Sequence, residues 1–376
     1  MAKIIISGGG TGGHVFPAIA IANAIMAMNR NDDILFIGAK GKLEMEKVPA
    51  AGYRIEGLAI AGFQRRFTMK NLSFPFKLIG SMIRARRIVS DFGPDVVIGV
   101  GGYASGPVLR TATTMRIPAL IQEQNSYPGV TNRMLAAKVQ KICVAFSGME
   151  KYFPKEKLVL TGNPIRQDLS GLELKRNEAL DYFGLDGSKI TVLVIGGSLG
   201  AGTINKSVFN CMRSGKPGEN IQWLWQCGKY YFENLSGELR AAGLVPGEKG
   251  LYLHAFIDRM DLAYSAADVV ISRAGAIAIS ELCAIGRPVI LIPSPNVAED
   301  HQTKNAMALA DRKAAILIRD NEAEVKLGPV LEGLIANKSL QEELKLKILG
   351  MAVPDAADRI AKEAIGLIKS GKDQRI

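Results

Sequence analysis

Short uninterrupted apolar runs alternate along this chain with longer stretches whose apolar residues recur at helical spacing, and glycines stand at many of the junctions. Ile4 to Ile6 is a β-branched run of the kind found in a strand buried on both faces. In the first half such runs predict strands at 3–7, 33–37, 95–98, 118–122 and 141–144. A further strand-like segment, Leu158-Val-Leu-Thr161, leads into Gly-Asn-Pro164. A second cycle opens at Lys189–Ile195 and continues at 221–226, 250–254, 268–272, 288–292 and 314–317. Repeated alternation of strand, turn and helix predicts α/β architecture with parallel, doubly wound sheets. The expected division is a first domain at 1–162 and a second at 163–354. The last helix, Asp355 to about Ser370, would pack back on the first domain as part of segment 355–376.

Each half opens with strand, glycine loop and helix. The first loop is Gly8-Gly-Gly10-Thr11-Gly12-Gly13-His14, ahead of a helix expected near Pro17; the second is Gly196-Gly-Ser198-Leu-Gly200-Ala-Gly202. Glycines let backbone N–H groups approach a ligand and the following helix adds partial positive charge, a combination suited to anions. Two Rossmann-like units would set these loops across a cleft, beyond the carboxyl ends of their strands. Gly8-x-Gly10-x-x-Gly13 also satisfies a dinucleotide fingerprint, which wants an acid at the end of the second strand. Strand 34–37 ends instead in Gly38-Ala-Lys40-Gly-Lys42, which counts against NAD. His14 is a titratable ring at the mouth of the first loop, and a purely structural turn has no need of one.

At 376 residues and 48% hydrophobic content the chain can bury two cores. Cys143, Cys211, Cys227 and Cys283 lie far apart without Cys-x-x-Cys spacing, and read as buried thiols of a reducing compartment. The first apolar stretch is broken at once by glycines, unlike a secretory leader. The most apolar region, Asp268 to Pro293, is interrupted by Arg273, Glu281 and Arg287, which argues against a membrane span. Charge separates the halves more sharply: residues 1–162 hold 21 Lys+Arg against 10 Asp+Glu, and residues 163–376 hold 26 against 26. The whole excess lies on the first half and suggests an anionic partner there. Interleaved aromatics and a nucleic-acid motif are absent, so nucleic acid is not expected. Within that half, the segment from Asn71 to Arg87 places Leu72, Phe76, Ile79 and Ile83 in one helical row and Phe74, Leu78 and Met82 in another. Lys77, Arg84, Arg86 and Arg87 flank them. Core packing explains one apolar face; two faces with cationic flanks suit an anionic lipid surface.

Seven motifs occur in order: Gly9-Gly-Thr-Gly-Gly-His14, Gly101-Gly-Tyr103-Ala-Ser-Gly-Pro107, Gln122-Glu-Gln-Asn125, Gly162-Asn-Pro-Ile-Arg166, Gly196-Gly-Ser-Leu-Gly-Ala201, Ser272-Arg-Ala-Gly-Ala276 with Ser280-Glu281, and His301-Gln302 with Asn305-Ala306. With these the chain resembles the N-acetylglucosaminyltransferases of peptidoglycan synthesis, over nearly its whole length. The resemblance implies a GT-B fold of two Rossmann-like domains. It implies transfer of N-acetylglucosamine from UDP-N-acetylglucosamine to undecaprenyl-diphospho-muramoyl-pentapeptide (lipid I to lipid II) at the cytoplasmic face of the inner membrane, with other cell-wall synthesis enzymes as candidate partners. One departure is Ala278, where the family often has Thr or Ser.

The resemblance implies that Glu281 takes the ribose hydroxyls, that the backbone at Ile257 reads the uracil, and that the loop with Ser198, helped by Arg166, seats the diphosphate. It places Thr11, Gly12, Gly13, Asn125, His301 and Gln302 against the donor sugar; Tyr103 is expected toward the acceptor, and Phe76, Ile79, Ile83, Arg84, Arg86 and Arg87 belong to the membrane-facing patch read above from spacing and charge. Read without it, Glu281 is as well a helix-surface acid, Ile257 a loop apolar residue and Arg166 a linker charge. The polar start at 301–302 would serve equally as a cap. For an inverting transfer a neutral histidine at 14 is poised to take the acceptor proton, with Glu123 the alternative base and Glu44 a remoter carboxylate. No Asp-x-Asp occurs, and a helix N-terminus with an arginine can meet the leaving charge, so neither metal nor cofactor is expected. The rival enzyme reading is a UDP-N-acetylglucosamine 2-epimerase of the same architecture.

Overall fold

The computed structural model describes residues 1–60, 74–166, 169, 172–197, 199–215 and 220–373; Ser198 and the side chain of Phe76 fall outside the described residues. The chain divides into two compact units, 1–165 with 353–376 and 166–352.

In the first unit the elements run β1 (Lys3–Ser7), α1 (Gly12–Met28), β2 (Asp33–Ala39), α2 (Glu44–Ala50), β3 (Arg54–Leu58), α3 (Phe74–Phe92), β4 (Val96–Gly99), α4 (Ser105–Thr114), β5 (Ala119–Glu123), α5 (Val130–Leu135), β6 (Lys141–Val144) and β7 (Leu158–Leu160). The seven strands pair in parallel in the order β3-β2-β1-β4-β5-β6-β7. Register sets Ile4 beside Ile34 on one side and Val96 on the other. Ile4, Ile5 and Ile6 are fully buried, and so is Ser7, whose hydroxyl donates to the Ile37 carbonyl at 2.9 Å.

The second unit contains α6 (Arg176–Phe183), β8 (Ile190–Ile195), α7 (Gly202–Arg213), β9 (Ile221–Gln226), α8 (Phe232–Ala241), β10 (Leu251–His254), α9 (Met260–Ala266), β11 (Val269–Ser272), α10 (Ala276–Ile285), β12 (Val289–Leu291), α11 (His301–Ala310), β13 (Ile316–Leu317), α12 (Ala323–Ala336) and α13 (Lys338–Leu349). Its six parallel strands are ordered β10-β9-β8-β11-β12-β13. The chain then returns to the first unit as α14 (Ala356–Asp373). Ala356, Ile360, Ala361, Ala364 and Ile368 are buried at helical spacing, and the last four join the cluster that holds Ile21, Ala22 and Ile25 of α1. The return is tight: a Cβ on Gly162, whose φ is +79°, would fall 2.6 Å from Cβ of Val353.

Three local expectations change. β3 was not anticipated, because Arg-Ile-Glu-Gly-Leu has only two strongly apolar residues; it is an edge strand, and its exposed positions stay polar. The first helix begins at Gly12, five residues before Pro17, so His14 lies in its first turn rather than in a free loop. On α3 Leu78 packs on the core together with buried Ser81, Ala85 and Val89, while Met82 from its expected row is 37% exposed, and Ile79 and Ile83 are 57% and 66% exposed. All four cysteines are buried and unpaired, and burial pushes the Cys143 thiol up to about 12. No described helix is long and apolar enough to cross a membrane.

Candidate active site

Both sheets reverse direction of winding beside their first strand, between β1 and β4 and between β8 and β11. Loops leaving the carboxyl ends of those strands diverge there and leave room for a ligand. Each switch point holds one of the two glycine loops, and the two are built differently.

In the first unit the glycines serve close packing. A Cβ on Gly8 would strike Val100 Cγ2 at 2.2 Å, and one on Gly102 (φ +83°) would strike the Gly9 carbonyl oxygen at 2.2 Å. The turns after β1 and β4 therefore lie against each other. Beneath them sits Glu44, 1% exposed, whose Oε2 accepts the Gly10 N–H at 2.8 Å and whose Oε1 accepts the Ala39 N–H at 2.9 Å. A Cβ on Gly9 would lie 2.2 Å from the Glu44 carboxyl carbon. The acid missing from the end of the second strand stands five residues further on and binds the protein's own loop. Thus the carboxylate ranked as remote touches the loop, and the Gly10 amide is occupied from within. Thr11 is the N-cap of α1, its carbonyl accepting from the amides of His14 and Val15. Gly12 and Gly13 follow in the first turn.

The His14 ring packs on the β4–α4 turn, where a Cβ on Gly101 would come within 3.0 Å of its Nδ1. Nδ1 is buried without a hydrogen-bond partner among the described residues. Burial holds the imidazole below its ordinary 6.5; the Glu123 carboxylate, the Val100 carbonyl, the Gln124 side chain and Glu44 pull it back only in part. The ring is therefore neutral near pH 7, the state a general base requires. Around it runs a buried amide chain: Gln124 Nε2 donates to the Val100 carbonyl at 2.7 Å and to Gln122 Oε1, Gln122 Nε2 donates to Asn163 Oδ1 at 2.9 Å, and Asn163 Nδ2 donates to the Gln124 carbonyl at 3.0 Å.

Glu123, the other base candidate, is 1% exposed and lies beneath the loop that follows β5. Its Oε1 accepts from Asn125 N–H (3.0 Å) and Nδ2 (3.2 Å), and its Oε2 from Gly129 N–H (3.0 Å) and Asn132 Nδ2 (2.8 Å). Four donors hold the carboxylate in place and shape the loop. This argues against the role of base and for the role of anchor. Tyr103 is 55% exposed on the neighbouring turn. Away from these loops, a groove of about 720 Å³ beside α3 is lined by Leu35, Ile55, Ile83 and Phe92 with Arg54 and Arg84. Arg84 pairs with Glu56 at 3.0 Å and Arg87 with Asp91 at 3.7 Å, so two of the expected cationic flanks are partly neutralised.

In the second unit Gly197 has φ +85°, and a Cβ built on it meets no described atom beyond its chain neighbours within 4 Å, as is also true of Gly10 in the first loop, whereas Gly200 is pressed against the Cys227 carbonyl. Gln226, 3% exposed at the end of β9, donates from Nε2 to the Gly197 carbonyl at 3.1 Å and accepts the Ile257 N–H at 2.9 Å. Any base reading by the Ile257 amide must displace that contact. Gln302, in the first turn of α11, accepts the amides of Ser294 (2.8 Å) and Ala274 (3.3 Å) through one oxygen, which joins the turns after β11 and β12. His301 precedes it as the first residue of that helix.

Arg166 and Glu281 meet directly: Arg166 Nε donates to Glu281 Oε1 at 3.0 Å. Tyr264, 2% exposed on α9, donates its hydroxyl to Glu281 Oε2 at 3.0 Å. Glu281 is itself 8% exposed, not a helix-surface acid. Sequence reasoning weighed Glu44 only as a remoter base, and it missed Gln226 and Tyr264. Gln226 had a signal, a polar residue closing a buried strand; Tyr264 had none. Among the described residues no group of three or more His, Cys, Asp or Glu side chains is placed to hold a metal ion.

Comparison with known proteins gives the family and the fold. The glycosyltransferase family 28 N-terminal domain matches residues 4–144, and the family 28 C-terminal domain matches residues 191–360. The UDP-N-acetylglucosamine–N-acetylmuramyl-(pentapeptide) pyrophosphoryl-undecaprenol N-acetylglucosamine transferase of Flavobacterium psychrophilum is 52% identical over 98% of this chain and 99% of its own. Its namesake in Bacteroides thetaiotaomicron is 52% identical over 98% of both. A crystal structure of Acinetobacter baumannii MurG superposes with a TM-score of 0.77 at 26% identity, over 97% of this chain and 100% of that one. A UDP-GlcNAc 2-epimerase from Neisseria meningitidis superposes with a TM-score of 0.69 at 13% identity, over 96% and 99%, which speaks to the fold alone.

Proposed function

The chain belongs to glycosyltransferase family 28, and we propose how its residues carry out the transfer that its relatives' names describe. It is a hexosyltransferase that moves N-acetylglucosamine from UDP-N-acetylglucosamine to undecaprenyl-diphospho-N-acetylmuramoyl-pentapeptide, the step from lipid I to lipid II. Relatives at half identity carry that name, whereas the epimerases share only the fold.

The donor belongs to the second unit and the acceptor to the first. The observation that carries this assignment is that the Gly10 amide of the first loop is already taken by the Glu44 carboxylate, an anion the protein itself supplies. A diphosphate therefore seats at the second loop ahead of the N-terminus of α7, with backbone amides and the Ser198 hydroxyl as its donors. Glu281 accepts the ribose hydroxyls, and Arg166, now its ion-pair partner, turns to the leaving phosphate, for which a guanidinium is well shaped. Ile257 reads the uracil by backbone groups in exchange with Gln226. Thr11, Gly12, Gly13, Asn125, His301 and Gln302 bind the sugar.

His14 removes the proton from the C4 hydroxyl of the acceptor's muramoyl sugar as that oxygen attacks the anomeric carbon and UDP departs, with inversion. Charge on UDP is met by the second loop and Arg166 without a required metal ion. The exposed Ile79 and Ile83 with Arg86 bring the first unit to the anionic surface, on the cytoplasmic side of the inner membrane, where the acceptor is anchored.

The test supplies the purified protein with labelled UDP-N-acetylglucosamine, with and without a lipid-linked muramoyl acceptor. UDP release that requires the acceptor, with a β-linked disaccharide as product, supports the reading. Formation of the 2-epimer without acceptor overturns it.

A further inference from the structure

The donor reading assigns Glu281 to the ribose, and a carboxylate selects hydroxyls only when it is held still. The two Glu281 oxygens are held by different kinds of group. Oε1 faces Arg166, whose side chain is 39% exposed on a segment at the boundary of the unit. Oε2 faces Tyr264, whose ring is 2% exposed and fixed by the packing of α9, every residue of which is buried. The Arg166 side chain borders solvent, whereas the Tyr264 ring is enclosed.

We infer that Tyr264 is a positioning residue for nucleotide selection. Its hydroxyl pins Oε2 and so fixes the Glu281 rotamer, while Oε1 exchanges the Arg166 guanidinium for a ribose hydroxyl when donor binds. The exchange conserves hydrogen bonds, because one N–H donor leaves the carboxylate as an O–H donor arrives, and it frees Arg166 for the diphosphate. Burial and the adjoining Glu281 charge hold the Tyr264 phenol well above its ordinary value, so it remains a donor throughout the working pH range. Tyr264 touches no reacting atom in this scheme. It acts through Glu281.

The inference rests on the ribose assignment of Glu281, and the experiment separates the two. Calorimetry on the full chain compares UDP with 2′-deoxy-UDP and 3′-deoxy-UDP. Wild type is expected to prefer UDP over at least one deoxy analogue by about 10-fold or more, the worth of a hydrogen bond to a charged group. Glu281→Gln should remove most of that preference. Tyr264→Phe should cut it several-fold while leaving affinity for the deoxy analogue nearly unchanged, and should raise KM for donor more than it lowers kcat. A merely structural role would weaken all three nucleotides alike. If Tyr264→Phe does not fold, 4-fluorophenylalanine at 264, which fills the space without donating, must lose the preference, and 4-aminophenylalanine, which donates, must keep it. An unchanged preference in Glu281→Gln overturns the ribose assignment. A lost preference there with an intact one in the non-donating 264 variants overturns the role of Tyr264.

Discussion

Glu44 accepts a hydrogen bond from the backbone amide of Gly10 at 2.8 Å, so the first glycine loop carries its own anion. The second carboxylate oxygen takes the Ala39 amide, and the pair ties the turn after β1 to the end of β2. In Glu44→Gln one of these two amides faces an –NH₂ group instead of an acceptor. Loss of one charge-assisted bond and a buried donor left unpaired should cost about 2–4 kcal/mol in urea unfolding. UDP affinity of the folded variant should be unchanged, because the proposed nucleotide site lies in the other unit. Weakened UDP binding at wild-type stability would show that the first loop holds phosphate after all.

Much of this architecture was legible because buried parallel strands are short, apolar and β-branched; the runs at 3–7, 189–195 and 221–226 could hardly be anything else. β3 escaped notice because an edge strand needs no apolar alternation, and Arg54 and Glu56 serve its exposed side. The glycine loops were visible but their difference was not. Glu44 reaches Gly10 across 34 positions, and nothing local marks that pairing. Likewise Arg166 and Glu281 stand 115 residues apart, and only the folded sheet makes them neighbours. Types of residue announce chemistry; which of them are already satisfied by the protein depends on long-range contacts.

The His14 ring is held below 6.5 by burial, so the acid limb of kcat/KM should lie below pH 6.5, with activity lost as the ring is protonated. The unfolded chain binds that proton more readily than the folded one, so this ring's contribution to stability is full above pH 6.5 and falls as pH drops through the lower folded value. His14→Ala should reduce kcat by about 10²-fold or more with little change in UDP affinity. A variant whose whole loss is in donor binding would remove His14 from the chemistry.

Glu123 separates base from anchor. In Glu123→Gln an –NH₂ group faces donors that now meet oxygen, and about 2–4 kcal/mol of stability should go with the four-bond arrangement. Because the Glu123 charge raises the His14 value, its removal should move the acid limb to still lower pH. The limb should persist. Its disappearance in this variant, with His14 intact, would make Glu123 the base.

Leaving-group charge in the proposed scheme is met by Arg166, backbone amides and the start of α7, so turnover should survive EDTA. Arg166→Ala should lower kcat by about 10-fold or more, in line with loss of one charged contact at the phosphate. EDTA inactivation reversed by magnesium would contradict the scheme.

Membrane contact is the reading most exposed to test, because core and surface rows of α3 are now distinct. Ala85 and Val89 are fully buried, whereas Ile79 and Ile83 are 57% and 66% exposed, beside a groove whose apolar walls include Leu35 and Phe92. Replacing Ile79 and Ile83 together by serine should leave the unfolding midpoint within about 1 kcal/mol of wild type, as exposed positions usually do. Each isoleucine that enters the acyl boundary contributes about 1–2 kcal/mol by apolar burial, so the pair should weaken binding to anionic vesicles by about 30-fold or more. Charge should matter less than its count suggests, since Arg84 and Arg87 already face Glu56 and Asp91. Arg86→Gln should therefore cost about as much vesicle binding as Arg84→Gln or more, in the range of 1 kcal/mol at low salt. Turnover of a short-chain soluble acceptor should be nearly unaffected in all these variants. Equal losses with soluble and vesicle-borne acceptor would mean that the exposed row serves the fold or the reaction itself, and that the enzyme reaches its lipid substrate by another surface.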